Sequence, residues 1–421
     1  MYNRSIRYRL YPMTLDKANL LKQCLGATRY VWNYFLAENQ RMMEASRADP
    51  SKPRPNTTFF SLGKEFTQLR RTKDWLGELP FNPIRYVLKY QADAWLQCFR
   101  SGKGFPKFKS RWYDTDSVTF PAGSFKLNGR SLHLAKIGQV VISGDHPYAD
   151  SEPVSVVIRE ECRKFYATVC YAVEHVEHNQ KGEVLGIDRN MGQFVTSAGE
   201  IRYLPDLSKL ESRRRRYQRM MARRQQPDRK KEIKPSQRYL KAKQLAAKTS
   251  CKIAHIRNDW QHQESRRIAD HFQFVVIESL NTQGMTRSAK GTIEQPGKQV
   301  RAKSGLNRSI LATGWSSFKS KLAYKAELIE VEPKYTSQKC HQCGHIEKEN
   351  HKTQAKFECV RCGHSGNADI NAALNILALG QSTVLQDYFL RIFAILNILG
   401  RFCSGGSAPR PPKYGTFAQI R

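Results

Sequence analysis

The chain has 421 residues, with 70 Lys and Arg against 37 Asp and Glu, and a formal net charge of +33. This length allows about two to four domains with hydrophobic cores of their own. The charge far exceeds what solubility needs, so it predicts a polyanionic partner, most simply nucleic acid held by its phosphates. It runs from Arg4 to Arg421, which disfavours a membrane-surface protein with one basic amphipathic helix.

The sequence also indicates a cellular compartment. The first eleven residues are polar and alternating, unlike a signal peptide. The longest apolar run, from Tyr388 to Leu399, is about half of the roughly 20 residues that span a bilayer. Of ten cysteines, six are scattered and four are clustered, which is typical of a reduced compartment and one metal site. We therefore expect a monomeric, cytoplasmic and nucleoid-associated protein.

The amino-terminal part combines one strand with helices. Alternation of apolar and basic residues from Ile6 to Leu10 predicts a strand, which Pro12 ends. Thr14 can cap a long helix, and a second helix is expected after Pro83. The apolar stripes are Leu20, Leu21, Cys24, Ala27, Val31 and Phe35 in the first helix and Val87, Leu88, Ala94, Trp95 and Phe99 in the second, with Lys89 and Gln91 outside the stripe.

From Gly102 to Trp112, cations alternate with aromatic rings. One interpretation is a nucleic-acid surface, because cations bind phosphates and rings stack on bases. The other is a solvated loop whose aromatic residues pack against the next domain. The cations are Lys103, Lys107, Lys109 and Arg111, and the rings are Phe105, Phe108 and Trp112.

Short strands separated by turns follow, which predicts a small barrel. Asn128-Gly129 is a typical hairpin turn between Phe125–Leu127 and Leu132–Leu134. The strand near Tyr8 can join this barrel, with the helices inserted between. Further strands are expected at 117–121, 140–142, 154–159 and 164–173.

Beyond Lys181 the pattern changes to buried strands and basic helices. A strand from Val184 to Ile187 delivers Asp188, and a second strand returns at Phe194–Ser197. The stretch from Glu211 to Lys231 then holds ten Lys and Arg residues, including four consecutive arginines, and is too one-signed to lack a counter-anion. Those four are Arg213, Arg214, Arg215 and Arg216. Two long helices are expected here, broken near Pro227 and Pro235.

A further buried strand, Phe274–Ile277, delivers Glu278. The polar, basic residues from Asn281 to Asn307 predict a mobile loop. A helix over Ser309–Glu327 and a strand over Leu328–Val331 are expected next.

Two C-x-x-C pairs, separated by fifteen residues, have the spacing of a zinc ribbon. Gly344 and Gly363 each follow a pair and allow a tight turn, so four thiolates can converge on one structural Zn²⁺. The expected ligands are Cys340, Cys343, Cys359 and Cys362. The nearby His341, His345, His351 and His364 are interpreted as flanking surface groups, because four cysteines complete the zinc coordination.

Asp188 and Glu278 stand at strand ends, and Asp369 begins the last expected helix, whose buried face is Ala372, Ala373, Ile376 and Leu377. Any one of these acids could be a cap or an ion-pair partner. Together, on a strongly basic chain, they match a site in which carboxylates hold two Mg²⁺ ions for phosphodiester hydrolysis. Their convergence in space is an expectation.

Five segments match the motifs of a known family in their sequence and in their order along the chain. They are Gly186-Ile187-Asp188-Arg189-Asn190, Val276-Ile277-Glu278-Ser279-Leu280, Thr286-Arg287-Ser288-Ala289-Lys290-Gly291, Tyr335-Thr336-Ser337-Gln338-Lys339-Cys340 and Asn367-Ala368-Asp369-Ile370-Asn371-Ala372-Ala373. They closely resemble the TnpB family, transposon-encoded nucleases related to the miniature type V CRISPR effectors. The resemblance runs from about Arg4 to Leu379 and is most specific from Lys181 onward; the residues after Gly380 match nothing in it.

The resemblance implies a bilobed protein with a guide RNA from the transposon end, which cleaves double-stranded DNA beside a short recognised motif. It places the family's catalytic, Mg²⁺-binding acids on Asp188, Glu278 and Asp369, and its zinc ligands on the four cysteines. Lys89 and Gln91 are the candidates for reading the motif. The basic helices and the segment from Gly102 to Trp112 would bind RNA and heteroduplex backbone, and the loop after Glu278 would act as a lid.

The implied fold is multidomain α/β and β, with an RNase H-like RuvC domain, an inserted zinc ribbon and a wedge barrel interrupted by a helical recognition module. The expected divisions are 1–12 for the first barrel strand, 13–111 for the helical module, 112–180 for the remaining barrel, 181–336 for the first RuvC part with basic helices and lid, 337–365 for the ribbon, 366–380 for the final RuvC helix and 381–421 for a partly disordered tail.

Three alternatives, besides a plain zinc-ribbon DNA-binding protein, remain beside an RNA-guided endonuclease. An RNA-guided repressor that no longer cuts would have no need of three costly carboxylates. A transposase that joins strands itself would act without RNA. A CRISPR-associated miniature effector differs by genomic neighbourhood rather than by residues. A plain zinc-ribbon DNA-binding protein would leave Asp188 and Glu278 unexplained.

Overall fold

The chain divides into two compact units. In this computed structural model one unit is Met1–Glu177 with Arg213–Cys251, and the other is His178–Ser212 with Lys252–Arg421. Arg111, Trp112 and the helix and tail expected after residue 382 lie outside the described residues. No described helix is long and apolar enough to cross a bilayer. The structure describes residues 2–11, 13–55, 57–110, 116–145, 147–148, 151–173, 182–228, 231–353 and 355–382.

In the first unit, five helices are inserted between two strands of one sheet. Thr14 caps the first helix, since its Oγ1 accepts the Lys17 N–H, and the expected stripe from Leu21 to Phe35 is buried. The elements are β1 (Tyr2–Arg9), α1 (Leu15–Ala48), α2 (Phe59–Arg71), α3 (Asp74–Glu78), α4 (Phe81–Arg85) and α5 (Val87–Ser101). Sequence reasoning missed α2, although Leu62, Phe66 and Leu69 are spaced as one buried helical face.

Six further strands belong to the first unit: β2 (Ser117–Pro121), β3 (Phe125–Asn128), β4 (Ser131–Leu134), β5 (Gly138–Val141), β6 (Pro153–Glu161) and β7 (Lys164–Val173). One antiparallel sheet has the order β1-β7-β6-β2, and a second has the order β3-β4-β5. β1 pairs with β7 along its whole length, from Tyr2 opposite Val173 to Arg9 opposite Tyr166. A bridge between Leu10 and Ile142 joins the two sheets. The first strand therefore belongs with strands that follow the helices.

The second unit is built on a five-stranded sheet of order β10-β9-β8-β11-β12, in which β8, β11 and β12 are parallel. The strands are β8 (Val184–Asn190), β9 (Gln193–Thr196), β10 (Ile201–Tyr203), β11 (Phe274–Glu278) and β12 (Glu327–Val331), and two short strands follow, β13 (Lys356–Glu358) and β14 (Ser365–Asn367). The later helices of the chain are α6 (Ser208–Ala222), α7 (Gln237–His271), α8 (Thr282–Met285), α9 (Val300–Thr313), α10 (Trp315–Ala323) and α11 (368–382).

Both faces of this sheet are covered. Alternate residues of β8 and β11, among them Ile187 and Ile277, pack in one cluster with Phe318 of α10. Val276 packs in another cluster with Ile376 of α11. Strands buried on both sides read as continuous apolar runs, which is why β8 and β11 were recognisable in the sequence.

Two expectations for this unit are wrong in detail. Part of the expected mobile loop over 281–307 is helical, because α8 covers Thr282–Met285 and α9 begins at Val300. The single helix expected over Ser309–Glu327 is two helices. They are separated at Gly314, whose φ of 68° is left-handed and whose carbonyl accepts a hydrogen bond from the Gln261 side chain.

Candidate active site and cysteine cluster

Strand register brings the first two acids together. In the parallel pair of β8 and β11, Val276 lies opposite Gly186 and Ile277 opposite Ile187. The next residue on each strand is an acid, Asp188 on β8 and Glu278 on β11. The carboxyl ends of parallel strands meet at one edge of a sheet, so the two acids are neighbours there although the sequence separates them widely.

Two glycines bring α11 onto the same face of the sheet. A Cβ at Gly186 would lie 2.4 Å from the Ala373 carbonyl oxygen and 2.8 Å from the Leu377 nitrogen, so no larger residue fits beneath the helix backbone. A Cβ at Gly380 would lie 2.2 Å from a methyl group of Val276 on β11. This close packing directs the first turn of α11 to the strand ends.

The first turn of α11 carries Asp369, but this acid does not cap the helix. Asn367 does so, because its Oδ1 accepts the N–H groups of Asp369 at 2.9 Å and Ile370 at 3.1 Å. The Asp369 side chain instead accepts a hydrogen bond from Gln193 Nε2 at 3.0 Å. The helix cap is therefore Asn367, and the role of an N-cap, which the sequence left open for Asp369, does not apply to it.

The electrostatics place the three acids in one site. Asp188 is 9% exposed and Glu278 is 8% exposed. Burial raises the pKa of Asp188 to about 7, with further contributions from the negative charges of Glu278 and Asp369, although hydrogen bonds from Asn190 and Arg189 act in the opposite direction. An effect of these two charges on Asp188 requires that Glu278 and Asp369 lie close to it.

The pKa of Glu278 is also raised, chiefly by burial. A hydrogen bond from Thr336 and the charge of Arg189 partly offset this rise. Arg189 also donates a hydrogen bond to the backbone carbonyl of Glu278, which ties the end of β8 to the end of β11. Sequence reasoning singled out neither residue, yet both lie within the segments that carried the family resemblance.

The four expected zinc ligands converge in the structure. The Sγ atoms of Cys340 and Cys362 are 3.7 Å apart, those of Cys343 and Cys359 are 3.6 Å apart, and all four lie within 4.8 Å of one another. Four thiolates about 2.3 Å from a tetrahedral Zn²⁺ have sulfur atoms about 3.8 Å apart. The cysteine cluster therefore fits Zn²⁺. The three acids are spread more widely than this cluster.

Two similar turns form the cysteine cluster. In each, the glycine N–H donates to the carbonyl of the first cysteine, at 2.9 Å for Gly344 and 3.0 Å for Gly363. The N–H of each first cysteine donates to the carbonyl of the histidine after the glycine, at 2.8 Å in both turns. Both glycines have a φ of 74°, which other residues rarely adopt.

Side chains of α11 attach the cysteine cluster to the acidic site. Asn371 accepts the N–H of His341 and donates to the Lys339 carbonyl at 2.8 Å. Asn375 donates to the carbonyls of Thr336 and Lys339 at 2.9 and 2.7 Å. The loop that enters the cysteine cluster therefore lies on the same helix that carries Asp369.

The structure does not support Gln91 as a residue that contacts DNA. Gln91 is fully buried and donates to the Trp32 carbonyl at 2.9 Å. It follows Leu88 by three residues and precedes Trp95 by four, so it belongs to the buried stripe of α5 from which it was excluded. Lys89 of the same helix is exposed.

The segment from Gly102 to residue 110 has features of both earlier interpretations. Lys103 and Lys107 are exposed. Phe105 packs edge-on against Trp95, with ring centroids 5.9 Å apart, yet it stays 48% exposed. Lys109 is held through its backbone, which exchanges two hydrogen bonds of 2.8 Å with the Asn33 side chain. The segment is fixed on the helices and presents cations and ring surface.

The four consecutive arginines lie on α6, which has no buried side chain. Arg213, Arg215 and Arg216 are exposed, whereas Arg214 is half-buried. A helix without an apolar buried face needs a polar partner or solvent on every side.

Comparison with known proteins identifies the family. Residues 168–289 match a family described as "Probable transposase", residues 315–376 match the Cas12f1-like TNB domain, and residues 1–48 match a "Helix-turn-helix domain". The structure has one strand and one long helix over residues 2–48, so that last description does not fit the observed fold.

Relatives cover most of the chain. "Putative RNA-guided DNA endonuclease InsQ" of Escherichia coli is 32% identical over 90% of this chain and 93% of its own length. "Putative RNA-guided DNA endonuclease" of Streptomyces pristinaespiralis is 25% identical over 90% of this chain and 89% of its own. The CRISPR-associated endodeoxyribonuclease Cas12f1 of Sulfoacidibacillus thermotolerans is 34% identical over 30% of this chain and 28% of its own.

The fold is similar to that of a Cas12f1 chain in a cryo-EM structure of a Cas12f1-sgRNA-target DNA complex. The TM-score is 0.50 at 14% identity, over 86% of this chain and 83% of that chain. Both are multidomain α/β proteins. That likeness concerns the fold alone. The match to InsQ over nearly the whole chain, together with the transposase family match, shows that the chain belongs to the TnpB family of transposon proteins, which is related to the miniature type V effectors.

Proposed function

We propose that the chain is an RNA-guided, Mg²⁺-dependent DNA endonuclease encoded by a transposon. The observation that carries this proposal is the convergence of Asp188, Glu278 and Asp369 at one edge of the sheet in the second unit. InsQ, a relative that matches nearly the whole chain, is named as a putative RNA-guided DNA endonuclease. The guide RNA comes from the transposon end, and cleavage occurs next to a short motif in target double-stranded DNA.

The acidic site fits divalent metal ions. The negative charges of Glu278 and Asp369 raise the pKa of the buried Asp188, and a hard cation would stabilise its ionised form. Carboxylate oxygens are ligands that Mg²⁺ prefers. When bound, two Mg²⁺ activate water and stabilise the leaving 3′-oxygen of a phosphodiester.

The residues of the chain orient this chemistry. Asp188 and Glu278 are set by strand register, and Asp369 is set by the packing of α11 on Gly186. This arrangement is that of an RNase H-like RuvC domain, with parts at 181–336 and 366–380. The cysteine cluster at 337–365 is a zinc ribbon with a structural role, because four thiolates leave no open coordination position for water.

The first unit serves nucleic-acid recognition. The division 1–12, which contains β1, and the strands of 112–180 form the wedge barrel, and the helices of 13–111 form the recognition module. Base pairing with the guide reads the target sequence, while the protein reads heteroduplex shape and the adjacent motif. The exposed Lys89, Lys103 and Lys107 and the arginines of α6 are candidates for phosphate contacts.

Replacing an acid tests the catalytic assignment. Asp188→Ala or Glu278→Ala should lower DNA cleavage by about 10³-fold or more, because losing a metal removes several kcal/mol of transition-state stabilisation. Binding of guide RNA and target DNA should stay nearly unchanged in gel-shift assays. Glu332→Ala is the matched control, since this exposed acid directly follows β12. Cleavage that persists in Asp188→Ala would refute the site.

Sequencing the RNA that co-purifies with the full chain separates the alternatives. A discrete RNA species from a transposon end is expected, and its absence would favour a transposase. A strand-transfer assay without RNA should then be positive. An RNA-guided repressor would bind its target but leave DNA uncut at every Mg²⁺ concentration.

The role of α6 is tested by salt dependence. Arg213→Gln combined with Arg216→Gln should weaken RNA binding and reduce the slope of log affinity against log salt by roughly 0.7–0.9 per lost phosphate contact. The charge-keeping pair Arg213→Lys and Arg216→Lys should retain the slope. An unchanged slope in the glutamine pair would remove α6 from the RNA interface.

A further inference from the structure

Each of the three acids accepts a hydrogen bond from a neutral side chain. Asn190 Nδ2 donates to Asp188 Oδ2 at 3.0 Å, Gln193 Nε2 donates to Asp369 Oδ2 at 3.0 Å, and Thr336 Oγ1 donates to Glu278 Oε1 at 2.6 Å. The donors are two amides and one hydroxyl. None of them carries a charge that would neutralise the acid it contacts.

Two of these donors belong to one hairpin. Asn190 and Gln193 are cross-strand partners at the turn between β8 and β9. Gly192 in this turn has a φ of 86°, which permits the tight connection. Asn190 lies two residues after Asp188, so both side chains point to the same face of the sheet, and Gln193 stands directly opposite Asn190. A single hairpin end therefore contacts acids on β8 and on α11.

The third donor is held by the loop that enters the cysteine cluster. Thr336 is 5% exposed, and its carbonyl accepts a hydrogen bond from Asn375 at 2.9 Å. Asn375 is 3% exposed and lies on α11. The hydroxyl that contacts Glu278 is thereby fixed relative to the helix that carries Asp369.

From this geometry, and resting on the function proposed above, we propose that Asn190, Gln193 and Thr336 are positioning residues for the metal-binding acids. Each fixes the rotation of one carboxylate and engages one of its oxygens. A lysine or arginine at these positions would also fix the acid but would compete with a cation for its charge. Neutral donors orient the acids and leave their negative charge available to divalent metal.

Direct metal binding tests this inference. Mn²⁺ binding to the purified full chain, measured by electron paramagnetic resonance, should weaken about 10–100-fold in Thr336→Val and in Gln193→Leu, as is usual for groups that orient metal ligands. Thr336→Ser keeps the hydroxyl and should bind Mn²⁺ nearly as the native chain does. Thr313→Val is the matched control, because this buried threonine bonds only within its own helix.

The Mg²⁺ dependence of cleavage gives a second measurement. Loss of a positioning residue should shift the activation curve of Thr336→Val to higher Mg²⁺, with recovery of rate at saturating metal. A purely structural role would lower the plateau through loss of folded protein and leave the midpoint in place. That result, or unchanged Mn²⁺ binding in both variants, would overturn the inference.

The same experiment separates this inference from the proposed function. If the native chain binds Mn²⁺ and cleaves DNA, and the variants behave as it does, only the positioning role is refuted. A native chain that neither binds Mn²⁺ nor cleaves in the presence of its RNA defeats the proposed function itself.

Discussion

The cysteine cluster and the acidic site are linked through α11, yet they are assembled in opposite ways. The cysteines come from one short stretch, 340–362, and two similar turns direct them inward. The acids come from a strand, a second strand and a helix spread between residues 188 and 369. One site depends on local hydrogen bonds and the other on long-range register and packing. Substitutions in the two sites should therefore affect different parts of the second unit.

The largest effect on folding is expected from breaking the cysteine cluster. Cys343→Ser should remove bound zinc and unfold the region of 337–365, because metal binding supplies the folding free energy of such small sites. Cleavage should also fall about 10–100-fold, since Thr336 and its contact with Glu278 are attached to this loop. Zinc content by mass spectrometry and hydrogen exchange across the second unit check both points.

Cys98→Ser on α5 is the control for this change and should keep full zinc content. The strands β8, β11 and β12 should stay protected in Cys343→Ser, because their core contains no residue of the cluster. Loss of protection in these strands would mean that the two sites fold as one and would break the contrast between them.

A smaller loss of stability is expected from Gly186→Ala, and it should affect the acidic site rather than the cysteine cluster. The added methyl group meets the backbone of α11, and overpacking of this kind costs about 1–3 kcal/mol. Zinc content should stay full while cleavage falls, because Asp369 moves relative to Asp188. Chemical denaturation and the cleavage assay measure the two effects.

Gly305→Ala on α9 serves as the comparison for this substitution. Nothing lies within 4 Å of a Cβ at that position, so the change should stabilise the chain by up to about 1 kcal/mol. Equal stability of the two variants would show that α11 adjusts freely on the sheet.

The acidic site should also respond to pH. The pKa of Asp188 is about 7 in the folded chain without metal and about 3.9 in an unfolded one. The folded state therefore binds more protons between these values, so this acid makes stability fall as pH rises from about 4 to 7. Thermal unfolding in the presence of a chelator should show the decline, and Asp188→Asn should reduce it.

Magnesium should reverse this trend, because only the ionised acid binds the cation. The apparent Mg²⁺ affinity of the native chain should rise between pH 6 and 8. An affinity that is flat across this range would contradict the assigned role of Asp188.

The contrast also explains what the sequence could reveal. The spacing of Cys340, Cys343, Cys359 and Cys362 encodes a local site, so the cluster was predictable in full. β8 and β11 were recognisable as apolar runs, and the acids at their ends followed from them. Sequence reasoning could not determine that Glu278 lies beside Asp188, because register is a property of two distant segments.

Several residues that sequence reasoning missed or misplaced depend on contacts between distant elements. Asn190, Gln193 and Thr336 are ordinary polar residues whose significance comes from distant partners. Gln91 was placed on the wrong face because the pattern of apolar residues does not distinguish a buried polar residue from an exposed one. Gly314 divides a predicted helix because its carbonyl has a partner on α7. These errors concern contacts between elements, whereas the missed α2 and the expected loop that contains the start of α9 are errors about the elements themselves.

The pairing of β1 with β7 has a consequence for biosynthesis. The first strand leaves the ribosome long before its neighbour exists, and all five inserted helices are made in between. During that interval β1 has no sheet to join, so α1 and the helices after it must acquire structure first. A pause in translation before residue 173 would leave an unpaired amino-terminal strand available to a chaperone or to another nascent chain.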